Sequence, residues 1–204
     1  MIESILLTTI KIQTFAGTRH LTNASGFFFE HGRKLYLVTS RHALVDGASL
    51  HHPDRIEIDL HIDSTQLARS VSFSIPLYNN GMSLWRSGSD TAGDIDVAMI
   101  EIDRQRLPGN IVYSAFTPAH LPEHFETIEI GSTLLVVGFP LGFHDKVHHL
   151  PVVRQAVIVS SFGQRFQGKG YFLTDARHRR AAGAGRTTLV AAGRALRPPG
   201  RRAA

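Results

Sequence analysis

The chain has 204 residues, 43% of them hydrophobic, which is enough for a sizeable core in one large or two small domains. It contains no cysteine, so disulfides, thiolate metal centres and cysteine nucleophiles are excluded. The formal charge of +5 misleads: residues 1–175 carry 14 Lys+Arg and 17 Asp+Glu, a net −3, and residues 176–204 carry eight arginines and no acid, so the basicity assigns no nucleic-acid surface to the folded part.

The start, Met1-Ile2-Glu3-Ser4-Ile5-Leu6-Leu7, has neither a basic stretch nor a long apolar run. No signal peptide and no membrane span are expected, and the expected location is cytoplasmic. Short β-type runs follow in order. Ser4–Thr14, Gly26–Glu30, Lys34–Thr39, Arg55–Ile62, Ser70–Leu77 and Asp96–Ile102 are rich in Val, Ile, Leu, Phe or Thr. In Ile56-Glu57-Ile58-Asp59-Leu60-His61-Ile62 the isoleucines and Leu60 alternate with polar residues, so that strand has one core-facing side. His31-Gly32-Arg33 joins Glu30 to Lys34 as a tight hairpin, with glycine supplying a positive φ. These six strands, all before residue 105, are enough to close a small barrel over residues 1–105.

Residues 106–130 are punctuated by Pro108-Gly109, Pro118 and Pro122 and are expected to link two units. Strands resume at Ser132–Phe139, Pro151–Ser160 and Gly170–Asp175, within a second unit spanning 131–176. Three strands leave open edges, so this second barrel is expected to be truncated. Residues 177–204 change character: mostly Ala, Arg, Gly and Pro, with no acid, no lysine and no docking face, they are expected to be a disordered tail.

One histidine stands apart from the other eleven. His42 follows the strand Lys34–Thr39 in the run Leu37-Val38-Thr39-Ser40-Arg41-His42-Ala43-Leu44, after the hairpin that leaves Ala24-Ser25-Gly26-Phe27-Phe28. That places an imidazole at a strand end, where small residues on the neighbouring strand let backbones approach closely. The ordered run resembles the histidine motif of the trypsin-like serine proteases, especially their bacterial branch. A second run, Gly93-Asp94-Ile95-Asp96-Val97-Ala98-Met99-Ile100, resembles the family's aspartate motif, and Gly131–Gly142, ending Gly138-Phe139-Pro140-Leu141-Gly142, resembles the first strand and turn of its second barrel. The resemblance covers residues 1 to about 176.

The resemblance implies an all-β fold, a trypsin-like double β-barrel, here with the first barrel complete and the second truncated. It implies a serine endopeptidase working through an acyl-enzyme, with His42 as general base and Asp96 accepting a hydrogen bond from its Nδ1–H. Asp94 is the alternative for that second role. The third member is missing: no serine occurs after Ser161, and by spacing from Asp175 the nucleophile falls near Gly183, which has no side chain. Thr187 and Thr188 are the only hydroxyls left in the tail, and neither sits in a glycine-rich elbow. A serine lost from such a triad lowers turnover by about 10⁶-fold. The change of composition after Arg177 resembles a GC-rich gene read out of frame, which the coding DNA would settle.

The implied protein is thus an inactive serine-endopeptidase domain acting on polypeptide, needing no cofactor and no metal. The alternatives are a non-catalytic peptide- or protein-binding module and a truncated product without function. His144, His148 and His149 crowd one short loop, and His51-His52 lies in a turn; solvated loops are the expectation for both. The arginine-rich end has no aromatic residues to stack on bases, so specific nucleic-acid recognition is not expected.

Overall fold

In Thr9–Ala16, Lys34–Thr39 and Arg55–His61 burial falls mainly on alternate residues, and the chain folds accordingly into antiparallel strands. The computed structural model describes residues 2–91, 93–140, 144–168, 170–176 and 190–191. β1 (Thr9–Ala16), β2 (Arg19–His31) and β3 (Lys34–Thr39) form a meander. β4 (Arg55–His61) returns beside β1, and β5 (Ser70–Pro76) lies outside β4. A two-residue pair, β6 (Tyr78–Asn79) and β7 (Met82–Ser83), turns the chain into β8 (Trp85–Asp90), which pairs with β9 (Gly93–Ile102). The order across the sheet is β5-β4-β1-β2-β3-β9-β8.

This differs from the expected closed barrel of six strands. The sheet has seven strands, and among the described residues no ladder joins its rims, β5 and β8. The β6–β7 hairpin links them along the chain, with the Leu84 N–H donating to the Leu77 carbonyl at 2.9 Å. The sheet still wraps a single core. Ile12, Leu37, Ile56, Ile58, Ile75 and Ile100, drawn from β1, β3, β4, β5 and β9, pack in one buried cluster, which a flat sheet cannot assemble. Each such side chain contributes about 1.5–3 kcal/mol by leaving water. β8 has no sequence signal because Trp85 is its one half-buried residue and the other five are exposed; it is held by its backbone ladder to β9.

Two local features shape this unit. Ser4–Leu7, expected as the start of a strand, is a 3-10 turn: the Thr8 hydroxyl donates to the Ile5 carbonyl at 2.7 Å and closes it before β1 begins. Gly26 on β2 is required by space, because a Cβ there would lie 2.6 Å from Ile12 Cδ1, 3.0 Å from Leu37 Cδ1 and 3.1 Å from the Val38 carbonyl oxygen.

The second unit is a small sheet of β10 (Thr133–Gly138), β11 (Val152–Val157) and β12 (Val190–Ala191), in the order β11-β10-β12. Leu134, Val136, Ala156 and Ile158 form its core, with Phe162 and Phe172 packed against them. Gly170–Asp175 is not a strand of this sheet. The Asp175 carboxylate accepts the Val157 N–H at 2.7 Å, taking the place of a ladder carbonyl, and the single bridge Ile158–Thr174 is all the pairing that follows. Of the expected tail 177–204, Val190 and Ala191 pair with Val136 and Leu135 of β10; the other residues of that segment lie outside the described ones.

One contact between the two units is at β2. Ser25, 3% exposed, accepts the Phe139 N–H on its hydroxyl at 2.9 Å, while its carbonyl accepts the Thr39 hydroxyl at 2.9 Å. The linker also follows β2, with the Phe116 N–H donating to Phe28 and the Phe116 carbonyl accepting from Glu30. No helix among the described residues is long and apolar enough to cross a membrane.

His61, at the end of β4, is buried, and its Nδ1–H donates to the Leu67 carbonyl at 2.9 Å. Burial pushes its pKa below the ordinary histidine value, and the neighbouring His149 and His148 push the same way against Leu67 and Asp59. The native state therefore binds this proton less readily than the unfolded chain does. Stability will fall as pH drops through about 6.5, the unfolded value, and level off once the native imidazole is protonated. Urea unfolding of the wild type and of His61→Phe at pH 7.5 and 5.5 measures this. A wild-type loss no larger than the variant's would show that His61 carries none of it.

Candidate active site

Strand register brings two polar residues to one end of the sheet. Thr39, the last residue of β3, lies opposite Ala98 of β9. Because the strands are antiparallel, the residues after Thr39 and those before Ala98 emerge at the same place. The chain leaves β3 through a 3-10 turn, Arg41–Ala43, pinned into the core by Ala43 (3% exposed) and Leu44 (fully buried). That turn carries His42. His51 supports it from below, donating its Nε2–H to the Ala43 carbonyl at 3.0 Å.

Asp96 reaches His42 through an irregularity in β9. Ser89 faces Asp94 and Ser87 faces Ala98, so the single residue Gly88 of β8 stands against Ile95, Asp96 and Val97. A bulge of this kind re-aims a side chain that a regular strand would leave in the ladder. The Asp96 carboxylate is thereby engaged twice by one residue: Oδ2 lies 2.6 Å from His42 Nδ1, and Oδ1 accepts the His42 backbone N–H at 3.0 Å.

Electrostatics fix the direction of the short bond. Burial is the largest influence on Asp96 and raises its pKa. The two hydrogen bonds from His42, with the charges of His42 and Arg41, outweigh burial and hold the carboxyl below its ordinary value. At neutral pH Asp96 is therefore an anion and can only accept, so the proton sits on His42 Nδ1. In the neutral imidazole the basic lone pair is then on Nε2. The side chains are 28% and 61% exposed, so water screens part of the attraction, and the pair serves orientation more than stability.

Asp94, the alternative partner, goes elsewhere: its Oδ2 lies 3.3 Å from Arg41 Nη2. Asp46, after the His42 turn, accepts from the Ser49 hydroxyl at 2.7 Å and the Ala48 N–H at 3.1 Å; the Ser49 bond leads in lowering its pKa, and His42 adds to the effect. The histidine-rich loop does not converge. His148 Nδ1 donates to Asp145 at 2.7 Å, His149 lies 3.8 Å from Asp59, and His144 packs edge-on to Phe139. Among the described residues no three His, Cys, Asp or Glu side chains are grouped to hold a metal. His52 is exposed. Gly183, Thr187 and Thr188 lie outside the described residues. The Ser25 and Ser160 hydroxyls accept from the Phe139 and Leu173 N–H groups, and the Ser49 hydroxyl is used by Asp46. His51, Arg41 and Asp46 surround the pair without any sequence signal, since each is placed by a turn.

No protein-family model and no curated protein sequence matches the chain. Solved structures do resemble it. An HtrA-type protease, AlgW, solved with a tripeptide, aligns over 81% of this chain with a TM-score of 0.47 and 17% identity, and the chain spans 40% of that protein's length. An inactivated protease paralogue of the scabies mite, S-I1, aligns over 92% of this chain and 90% of its own, with a TM-score of 0.46 and 18% identity.

Proposed function

We propose that this chain is a trypsin-like serine-endopeptidase domain retaining the general-base pair His42–Asp96 and lacking the alcohol that the pair would activate. The supporting observation is the two-point grip of Asp96 on His42, at 2.6 Å from Nδ1 and 3.0 Å from the backbone nitrogen. In that chemistry Nε2 takes the proton of a serine hydroxyl as its oxygen bonds to the scissile carbonyl carbon. The same nitrogen then delivers the proton to the leaving amine, and water later releases the acyl group by the same route. Asp96 holds the Nδ1–H tautomer and stabilises the imidazolium. No cofactor takes part.

The nucleophile is the point of departure. No serine follows Ser161, and turnover without one is expected to fall by about 10⁶-fold. That absence favours a second reading, in which the fold binds a polypeptide segment without cleaving it; a product with no function is the third. A fluorophosphonate probe, read together with thermal unfolding, tests for an activated hydroxyl and for a folded domain. The expected result is no stoichiometric labelling together with a cooperative thermal transition. Stoichiometric labelling lost in His42→Gln would mean that an activated hydroxyl exists and the inactive reading is wrong. No labelling and no cooperative transition would favour the functionless product.

A further inference from the structure

The tip of the β8–β9 hairpin is held by charge and not by packing. After Trp85 every residue of β8 is exposed, and Gly93 and Asp94 at the start of β9 are exposed too. Yet this tip sets one end of the bulge containing Asp96: the pairs Asp90–Gly93 and Ser89–Asp94 bound it on the outside, and Ser87–Ala98 on the inside. One residue of the other unit grips it. Arg165 Nη1 donates to Asp90 Oδ1 at 3.0 Å and Nη2 to Oδ2 at 2.6 Å, a two-pronged geometry that fixes orientation as well as distance. The backbone at Gly170 passes close to the same carboxylate, with a position for Cβ 3.7 Å from Asp90 Oδ2. The loop carrying Arg165 is itself anchored: Phe162 and Phe172, 4.9 Å apart, pack on the second unit's core, and the Phe166 N–H donates to the Tyr171 carbonyl.

We propose that Arg165 is a positioning residue for the His42–Asp96 pair, acting through Asp90 at the hairpin tip, a role that deepens and rests on the general-base reading of that pair. Arg165 thus acts on the base of the first unit through the hairpin tip. With the tip clasped, the bulge has both ends fixed and Asp96 is aimed at the imidazole. With the tip released, the outer two ladder pairs fray and the carboxylate swings away from Nδ1. Among the described residues, charged groups bearing on His42 include Asp96, Asp46 and, beside Asp96, Arg41. None of these is altered by a change at position 165.

The test is the titration of the His42 ring nitrogens by NMR in the ¹⁵N-labelled full chain, assigned by the signal lost in His42→Gln. Arg165→Ala is expected to move the His42 midpoint down by on the order of half a pH unit, toward that of Asp96→Asn. Arg165→Lys, which keeps the charge but not the fork, should fall between wild type and Arg165→Ala. The exchange Asp90→Arg with Arg165→Asp should return the midpoint toward wild type. A midpoint unmoved in both Arg165→Ala and Arg165→Lys overturns the proposal, even with a lowered melting temperature, because lost stability alone does not shift this titration. If Arg165→Ala fails to fold, the lysine variant and the exchanged pair decide the matter. The measurement needs no nucleophile, so a protein that never labels with a fluorophosphonate still answers it; failure of the enzymatic reading and failure of this one are thereby told apart.

Discussion

Asp96→Asn will move the titration midpoint of His42 down by about one pH unit and will also change its neutral tautomer. The first effect follows from removing an anion 2.6 Å from Nδ1. A larger shift is not expected, because Asp96 is 61% exposed and water screens the pair. The second follows from donor count. An aspartate oxygen can only accept from Nδ1–H. Asparagine can still accept the His42 backbone N–H on its oxygen, but it then turns its NH₂ toward Nδ1, which must become the acceptor. The proton moves to Nε2, and the general base points its lone pair the wrong way. Ring ¹⁵N shifts report the tautomer directly. Should the variant keep both the wild-type midpoint and the Nδ1–H form, the 2.6 Å contact does not exist in solution.

Gly26→Val will destabilise the chain by about 3 kcal/mol, toward the upper end of what overpacking costs. Ile12 and Leu37 are fully buried, so the two methyl groups nearest the new Cβ have nowhere to retreat. The third neighbour, the Val38 carbonyl oxygen, belongs to the strand pairing with β2 and cannot move without breaking the ladder. A loss of this size matters against a total stability of about 5–15 kcal/mol. Gly47→Ala is the control: a Cβ there meets nothing within 4 Å, and the change should stay within about 0.5 kcal/mol. Urea midpoints for the two variants measure the contrast. Equal midpoints would mean that β1 and β3 do not crowd β2 as described.

Much of the first unit was legible because burial leaves its mark at every second residue. β3 runs from Lys34 to Thr39 as its pattern predicts, and in β4 Ile56, Ile58 and Leu60 are buried as their alternation requires. The hairpin at Gly32 was legible too, since Gly32 has φ +61°. β8 was not, because a strand stabilised by its backbone ladder has no apolar face to show. Nor was the closure of the sheet, which depends on how far β5 and β8 lie apart and on no single residue. At the site, His42 could be singled out from its place after a strand. Asp96 was chosen over Asp94 by the resemblance alone, since residues two apart face the same way in a regular strand and periodicity does not separate them. The bulge opposite Gly88 separates them, and a bulge is a property of two strands in register. Arg165 lies nearly 70 positions from Asp96, and nothing in its own surroundings marks it.

The attachment at Ser25 has a consequence for how the molecule comes apart. β2 is the fourth of seven strands, so this attachment of the second unit lies in the middle of the larger sheet. Strands at the rims open first, and openings that begin at β5 or β8 must cross several ladders before they reach it. Partial melting of the margins therefore leaves the two halves tethered, and they separate only when the central meander itself gives way.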